Sequence, residues 1–484
     1  MNMSRRFAAA PGFAGLALMA LLTGCAVGPD YKRPTTALPA AYPETAQGAG
    51  ATAEQGAIAS DWWTLYGDTT LNDLVATTLL NNTDLRRAVA QIDEAQAVLD
   101  QAGSALFPNI DLGVSSSRSR ISSLNATPIF SGQPVISNSN RLAFSTAFEL
   151  DFWGKLRRTT EAARAQVLST RYARDVTALS LAGTTTQAYF TLRSLDAQIV
   201  ATKATLKSRD ESLAVIKSRA IGGLASELEV NQAQGQLADA SLQLRELQRQ
   251  RALVEHQLGV LTGKLDLRIP AGDIMQLPIP VLPPPGLPST LVERRPDVHQ
   301  AEQALIAANA QIGVAKADQL PTFSLTGDFG GQSKEFGNIL KSGARIWSIG
   351  LSGVLPVFDA GLYAARTRQA EAVQRQATAN YQKSVENAFK EVADALTNVQ
   401  QSAAAAKDLQ IKLDAAHNAL RLSKLRYDEG YSEYLEVLDA QRNANVAELA
   451  WVQNRQNQLA YSVDLMKALG GGWSPQDAAP MAQR

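Results

Sequence analysis

The chain is poor in the residues that build most active sites. It has one cysteine in 484 residues, Cys25, and that one lies in the N-terminal targeting region. Its three histidines, His256, His299 and His417, are far apart in sequence and each has helical surroundings. A Cys/His metal site and a cysteine nucleophile are therefore not expected. Neither sign of charge is in excess, with 46 Lys plus Arg against 46 Asp plus Glu, so the balance points to no nucleic-acid partner. No grouping of nucleophile, base and orienting residue stands out, and there is no glycine-rich phosphate loop. Neither an enzyme nor a cofactor is expected. Beyond the N-terminal region no run reaches the roughly 18 apolar residues of a membrane-spanning helix. Aromatics are only 6%, while Ala, Leu and Gln crowd the long middle stretches, a mix that favours long helices.

Residues 1–24 read as a processing signal. Arg5 and Arg6 give a positive start, and Phe13 to Leu22 form a short apolar core. It ends in Leu22-Thr23-Gly24-Cys25, which resembles a bacterial lipobox. Cys25 is thus expected to become the acylated first residue of the mature chain, held to a membrane by more than one acyl chain. An ordinary secretory signal with a chance cysteine is the alternative. Ala26, rather than Asp, in second place resembles the bacterial sorting rule for the outer membrane.

The rest is a duplication. With a shift of about 207 residues, Arg219 meets Arg426, Gly223 meets Gly430, and Leu228-Glu229-Val230 meets Leu435-Glu436-Val437. Gly154 and Gly361 share that shift. Each copy reads helix, strand pair, very long helix, turn, long helix. The expected boundaries are 25–70 for an N-terminal lipidated segment, 71–265 for the first repeat, 266–295 for a proline-rich linker, 296–470 for the second repeat and 471–484 for a tail. Strands are expected at about 108–153 and 321–358, and helical hairpins at about 154–262 and 361–469.

In Arg141 to Phe152 the apolar residues Leu142, Phe144, Phe148, Leu150 and Phe152 alternate with Arg141, Ser145, Glu149 and Asp151. Arg345 to Leu355 repeats this with Trp347, Ile349 and Leu351. Alternation over about ten residues suits an outer-membrane barrel strand; a soluble sheet with one wet face is the alternative. Four such strands cannot close a barrel with a lumen, which needs about eight or more. An open edge in lipid would leave backbone groups unsatisfied. The barrel reading therefore demands that several chains pool strands.

The long helical patterns after Gly154 and Gly361 carry no proline, and some 65 residues would span roughly 95–100 Å. The return helices carry heptads, such as Val230, Ala233, Leu237, Ala240, Leu244 and Leu247 in the first and Leu435, Leu438, Arg442, Asn445, Leu449 and Val452 in the second. A flanking stripe, Val437, Ala440, Ala444, Ala447 and Trp451, implies neighbours on two sides. A ring of such helices makes a tube; a coiled-coil spacer without a lumen is the alternative.

Several short motifs together resemble one family. They are the lipobox, Val27-Gly28-Pro29-Asp30-Tyr31, Trp62-Trp63, Arg294-Arg295-Pro296-Asp297-Val298, Tyr434 to Arg442, and Lys467 to Trp473. The chain resembles the outer membrane factor lipoproteins of RND-type tripartite efflux systems, OprM-like members of the TolC superfamily. The resemblance implies a mainly α fold with membrane β structure. In it, a homotrimer builds a twelve-stranded outer-membrane β-barrel continuous with a periplasmic α-helical barrel, and an equatorial domain surrounds the helices. It implies as partners a periplasmic adaptor, an inner-membrane RND transporter and outer-membrane lipid, and a passive exit duct as function. A duct for type I protein secretion or for metal-ion efflux is the alternative.

In this topology the closed periplasmic end lies at the two hairpin turns. The second turn is charged where the first is nearly neutral, so Arg426, Asp428 and Glu429 are the candidate gate. Ordinary charge decoration of helix ends is the alternative reading. The repeated positions Arg219, Gly223, Leu228 and Glu229, with Gly430, Leu435 and Glu436, are the candidate adaptor contact.

Overall fold

The computed structural model describes residues 26–42, 58–122, 135–283 and 293–473. Cys25 and the processing signal lie outside them, as do residues 284–292 of the proline-rich stretch and the tail beyond Trp473. The described elements are α1 (Thr69–Asn81), α2 (Thr83–Ser104), β1 (Asp111–Arg120), β2 (Ile136–Leu150), α3 (Lys155–Ile221) and α4 (Glu227–Thr262), followed by α5 (Pro296–Ala317), β3 (Thr322–Ser333), β4 (Arg345–Val354), α6 (Leu362–Asp428) and α7 (Tyr434–Ala468). The chain clusters into two units. The first holds residues 1–34, 92–169 and 301–381; the second holds 35–91, 170–300 and 382–484.

The first unit is organised by one antiparallel sheet of order β1-β2-β3-β4. The register sets an apolar row across all four strands: Leu112 opposite Phe144, Phe144 opposite Phe329, Phe329 opposite Trp347. Side chains alternate between faces, so the neighbouring row Asp111, Ser145, Asp328 and Ser348 lies on the other side. There Arg141 pairs with Asp328 at 2.7 Å. The apolar row stands exposed, from 51% at Phe144 to 74% at Trp347. The strands run further than alternation alone reveals. Ser115 to Ser119 of β1 pair with Arg141 to Ser137 of β2, where both faces are polar and no apolar signal exists. Phe152 lies just beyond β2 and packs edge-on against Phe323 at 5.3 Å.

The two long helices start alike because their caps are repeats of each other. Asp151 accepts from the backbone N–H groups of Leu156 and Arg157, and Asp359 accepts from those of Gly361 and Tyr363. Gly154 and Gly361, at φ 76 and 87, supply the left-handed step before each helix. Each helix then runs 67 residues, about 100 Å at the α-helical rise.

A strap formed by residues 26–34 runs antiparallel to α5 within the first unit. The Val27 N–H donates to the Trp153 carbonyl at 2.9 Å, and Asn309 Nδ2 donates to the Pro29 carbonyl at 2.8 Å. Asp30 pairs with Arg158 at 2.8 Å. Arg33 grips Glu302 through Nε and Nη2 at 2.6 and 2.8 Å, and the Tyr31 hydroxyl donates to the same carboxylate. The crossing requires glycine: a Cβ on Gly28 would stand 2.5 Å from the Gly313 Cα.

The second unit has its main core where the chain segments outside the hairpins converge. Trp62 and Tyr66, Leu71 and Val75 of α1, and Ile269, Ile274 and Leu277 of the linker pack with Tyr189, Phe190 and Leu192 of α3 and with Leu459, Val463 and Met466 of α7. The single helix expected before the first strand pair is two, Thr69–Asn81 and Thr83–Ser104. Asn82 breaks it into α1 and α2, because its side chain caps Asp84 N–H and also reaches the Leu261 carbonyl. The heptad stripe of α7 also needs correction near the turn. Leu435 is 60% exposed and Arg442 is exposed, while the flanking residues Val437, Ala440, Ala444 and Ala447 are buried.

Candidate functional site

The two hairpin turns are built by one rule and finished differently. In both, a glycine in the left-handed region closes the helix: Gly223 at φ 71 and Gly430 at φ 76. The next residue donates back five positions, Leu224 N–H to the Arg219 carbonyl and Tyr431 N–H to the Arg426 carbonyl, both at 2.8 Å. At the first turn Ser226 then forms a capping box, with Glu229 N–H donating to the serine hydroxyl and Ser226 N–H donating to the Glu229 carboxylate. At the second turn the N-cap residue is Glu433, which makes no side-chain cap. The Glu436 carboxylate, equivalent to that of Glu229, is left to pair with Arg426 at 3.3 Å.

This geometry rearranges the sequence-based groupings. Arg426, Asp428 and Glu429 do not form one cluster. Arg426 goes to Glu436, and Asp428 pairs with Arg219 of the first hairpin at 3.4 Å. The physical reason is that a helix end splays its side chains. Residues two apart point to different sides of the axis. Glu429 is exposed. Residues expected in the adaptor contact therefore bind residues expected in the gate. Among the former, Glu229 is occupied by its cap, while Leu228 and Leu435 stand 66% and 60% exposed and Gly223 and Gly430 have open space where a Cβ would be.

Sequence reasoning missed the aromatic part of this end. The Arg219 guanidinium lies 4.8 Å from the Tyr427 ring centroid. Tyr427 packs at 5.3 Å on Tyr434, which is buried with Leu213, Ile216, Ala233, Val437 and Leu438. Burial pushes the Tyr434 hydroxyl up to about 12, so it stays a neutral donor. The signal was present as two tyrosines flanking Gly430, four and three residues away. Arg219, Tyr427 and Asp428 thus tie the first hairpin to the second within one chain.

A sheet with one continuous apolar face and a polar reverse, joined in sequence to paired helical hairpins whose longer arms have 67 residues each, defines a chain of the outer-membrane channel class. The particular family follows from comparison. Residues 74–264 and 287–471 match the outer membrane efflux protein family, and the chain belongs to that family. It is 33% identical over 480 residues to the toluene efflux pump outer membrane protein TtgF of Pseudomonas putida, covering 97% of this chain and 98% of that one. It is 34% identical over 464 residues to the antibiotic efflux pump outer membrane protein ArpC of Pseudomonas putida, covering 94% of each. The solved outer-membrane channel OprN superposes with a TM-score of 0.86 at 31% identity, over 93% of this chain and all of that one. The protein is an outer-membrane efflux channel and carries out no chemistry of its own.

Proposed function

We propose that this chain is the exit duct of a tripartite multidrug efflux pump and works as a homotrimer. The observation that carries the assembly is the sheet. Its outer strands, β1 and β4, each have one unpaired edge among the described residues, and its apolar face is exposed. In lipid those edges must be paired, and three copies of four strands give the twelve that the family resemblance implies. A periplasmic adaptor and an inner-membrane transporter supply contact and energy. Multidrug cargo rests on relatives that serve toluene and antibiotic pumps. Acylation of Cys25 rests on the lipobox and on a strap that fixes Ala26 beside Gly154, near the end of β2. The resistance profile of a strain lacking only this chain tests the cargo. Hypersensitivity to several unrelated drugs and solvents is expected, and unchanged tolerance overturns the reading.

The turns are the gate of this duct. Arg219, Asp428 and Tyr427 clamp one hairpin to the other, while Arg426 with Glu436 and the exposed Glu429 add charge at the same end. Single-channel conductance of Asp428→Ala/Glu429→Ala should rise, and an unchanged value removes these residues from the gate. The exposed Leu228 and Leu435 with Gly223 and Gly430 form the adaptor contact, joined by Arg219, Glu229 and Glu436 at the same turns. Gly223→Trp/Gly430→Trp should abolish crosslinking to the adaptor; intact crosslinking places the contact elsewhere.

A further inference from the structure

Inside the paired hairpins, one level buries polar groups between two apolar layers. Arg209 of α3 is buried, yet no carboxylate lies within ion-pair distance of it among the described residues. Its Nη1 donates to the Gln236 carbonyl of α4 at 2.6 Å and its Nε has no partner. Gln441 of α7 is 7% exposed, and neither its amide nitrogen nor its amide oxygen has a partner. The antiparallel register sets the two side by side. Thr205 meets Asn445 on one flank at 3.4 Å, and Leu213 shares a cluster with Val437 and Leu438 on the other, so Arg209 is level with Gln441. Burial lowers the Arg209 pKa, and the titratable groups that face it are the carboxylate of Asp239 of α4 and the neutral phenol of Tyr434.

The next level is polar as well. Asn445 also donates to Gln243 of α4, again at 3.4 Å. Apolar packing resumes on both sides, with Leu213, Ile216, Tyr434, Val437 and Leu438 toward the turns and Leu195, Ile199 and Leu247 away from them. A long stripe of alanine and leucine fits several registers one turn apart almost equally well. A buried polar pair penalises the wrong ones, at a cost in stability.

We propose that the Arg209–Gln441 layer is a positioning element. It fixes the register of the first hairpin on the second and so aligns Arg219 with Tyr427 and Asp428 at the turns. Because its own hydrogen bonds are incomplete, it holds that register weakly enough for the hairpins to shift. The inference rests on the reading of the turns as the closable end, but its test does not use conductance.

Cys25 is the only natural cysteine, so introduced pairs report cleanly. In the full-length protein in outer membranes, Thr205→Cys/Asn445→Cys reads the present register, and Thr205→Cys/Leu449→Cys reads a shift by one turn. In the Arg209→Leu/Gln441→Leu background the in-register disulfide should fall several-fold and the shifted one should appear, with thermal stability equal or higher. An in-register yield equal to that of the parent, with no shifted product, overturns the proposal. Should the double-leucine chain fail to reach the membrane, Gln441→Glu decides. It gives Arg209 a carboxylate, so in-register yield should rise; an equal or lower yield overturns the proposal. A gate misassigned to the turns would show as unchanged conductance in Asp428→Ala/Glu429→Ala while the crosslinks still report register.

Discussion

Asp464 shows how one half-buried carboxyl in α7 couples the second unit to pH. It accepts a hydrogen bond from Gln187 Nε2 at 2.7 Å, yet burial dominates and raises its pKa above the usual carboxylate value. A folded-state pKa above the unfolded one means that the group's stabilising share is present below the unfolded pKa. That share is lost as pH rises through the folded pKa. At neutral pH the charge therefore costs stability. Asp464→Asn keeps an acceptor for Gln187 and removes the charge. Its melting temperature should exceed that of the parent at pH 7, and the gap should close as pH falls toward the unfolded carboxylate range. A gap that is constant with pH would contradict the assignment. Glu302 of α5 is held by geometry alone. Tyr31 and Arg33 surround it with donors, so its charge is matched and the strap is held.

At the scale of the element, the capping box separates the two hairpins. Ser226→Ala removes the acceptor for Glu229 N–H and should cost about 1 kcal/mol, felt as fraying of the first turn of α4. Amide hydrogen exchange at residues 227–230 should speed up while residues 434–437 of α7, which start without a side-chain cap, keep their rate. The released Glu229 carboxylate then becomes available as its counterpart Glu436 is. Much of this level was legible in sequence. Gly223 and Gly430 marked the turns because only glycine takes their φ freely, and the proline-free runs marked the long helices. What could not be read was partner choice. Nothing in the order of residues says that Asp428 would reach back to Arg219 across the hairpins rather than join Arg426 two residues away. Nor does periodicity reveal which of two parallel stripes on α7 is buried beside the turn, because both are apolar enough. The pairing of Ser115 to Ser119 was silent for the opposite reason: with polar residues on both faces, it offers no contrast to detect.

At the scale of the molecule, the apolar face of the sheet was visible from alternation in β2, and the structure adds its continuity across four strands. Ile349 of β4 stands 77% exposed on that face, level with Gly327 and Thr146. Ile349→Arg places a charge against hydrocarbon at a cost of roughly 2–4 kcal/mol near the bilayer midplane and less toward either surface. The yield of protein inserted into the outer membrane should fall sharply, whereas Ser348→Arg on the polar reverse should insert at close to the parent level. Equal losses for both would contradict the two-faced sheet.

The unpaired edges of β1 and β4 also set a clock. Until its neighbours arrive, each chain carries, among the described residues, two rows of free N–H and C=O groups beside a greasy face, and any strand of any protein can add to them. The dangerous interval is the one between crossing the inner membrane and closing the ring. Its length depends on how many sibling chains are nearby. Scarce expression therefore lengthens exposure rather than reducing it, and crowded expression raises the traffic of incomplete rings. For this protein, escort and proteolysis on the way to the membrane matter as much as the stability of the finished channel.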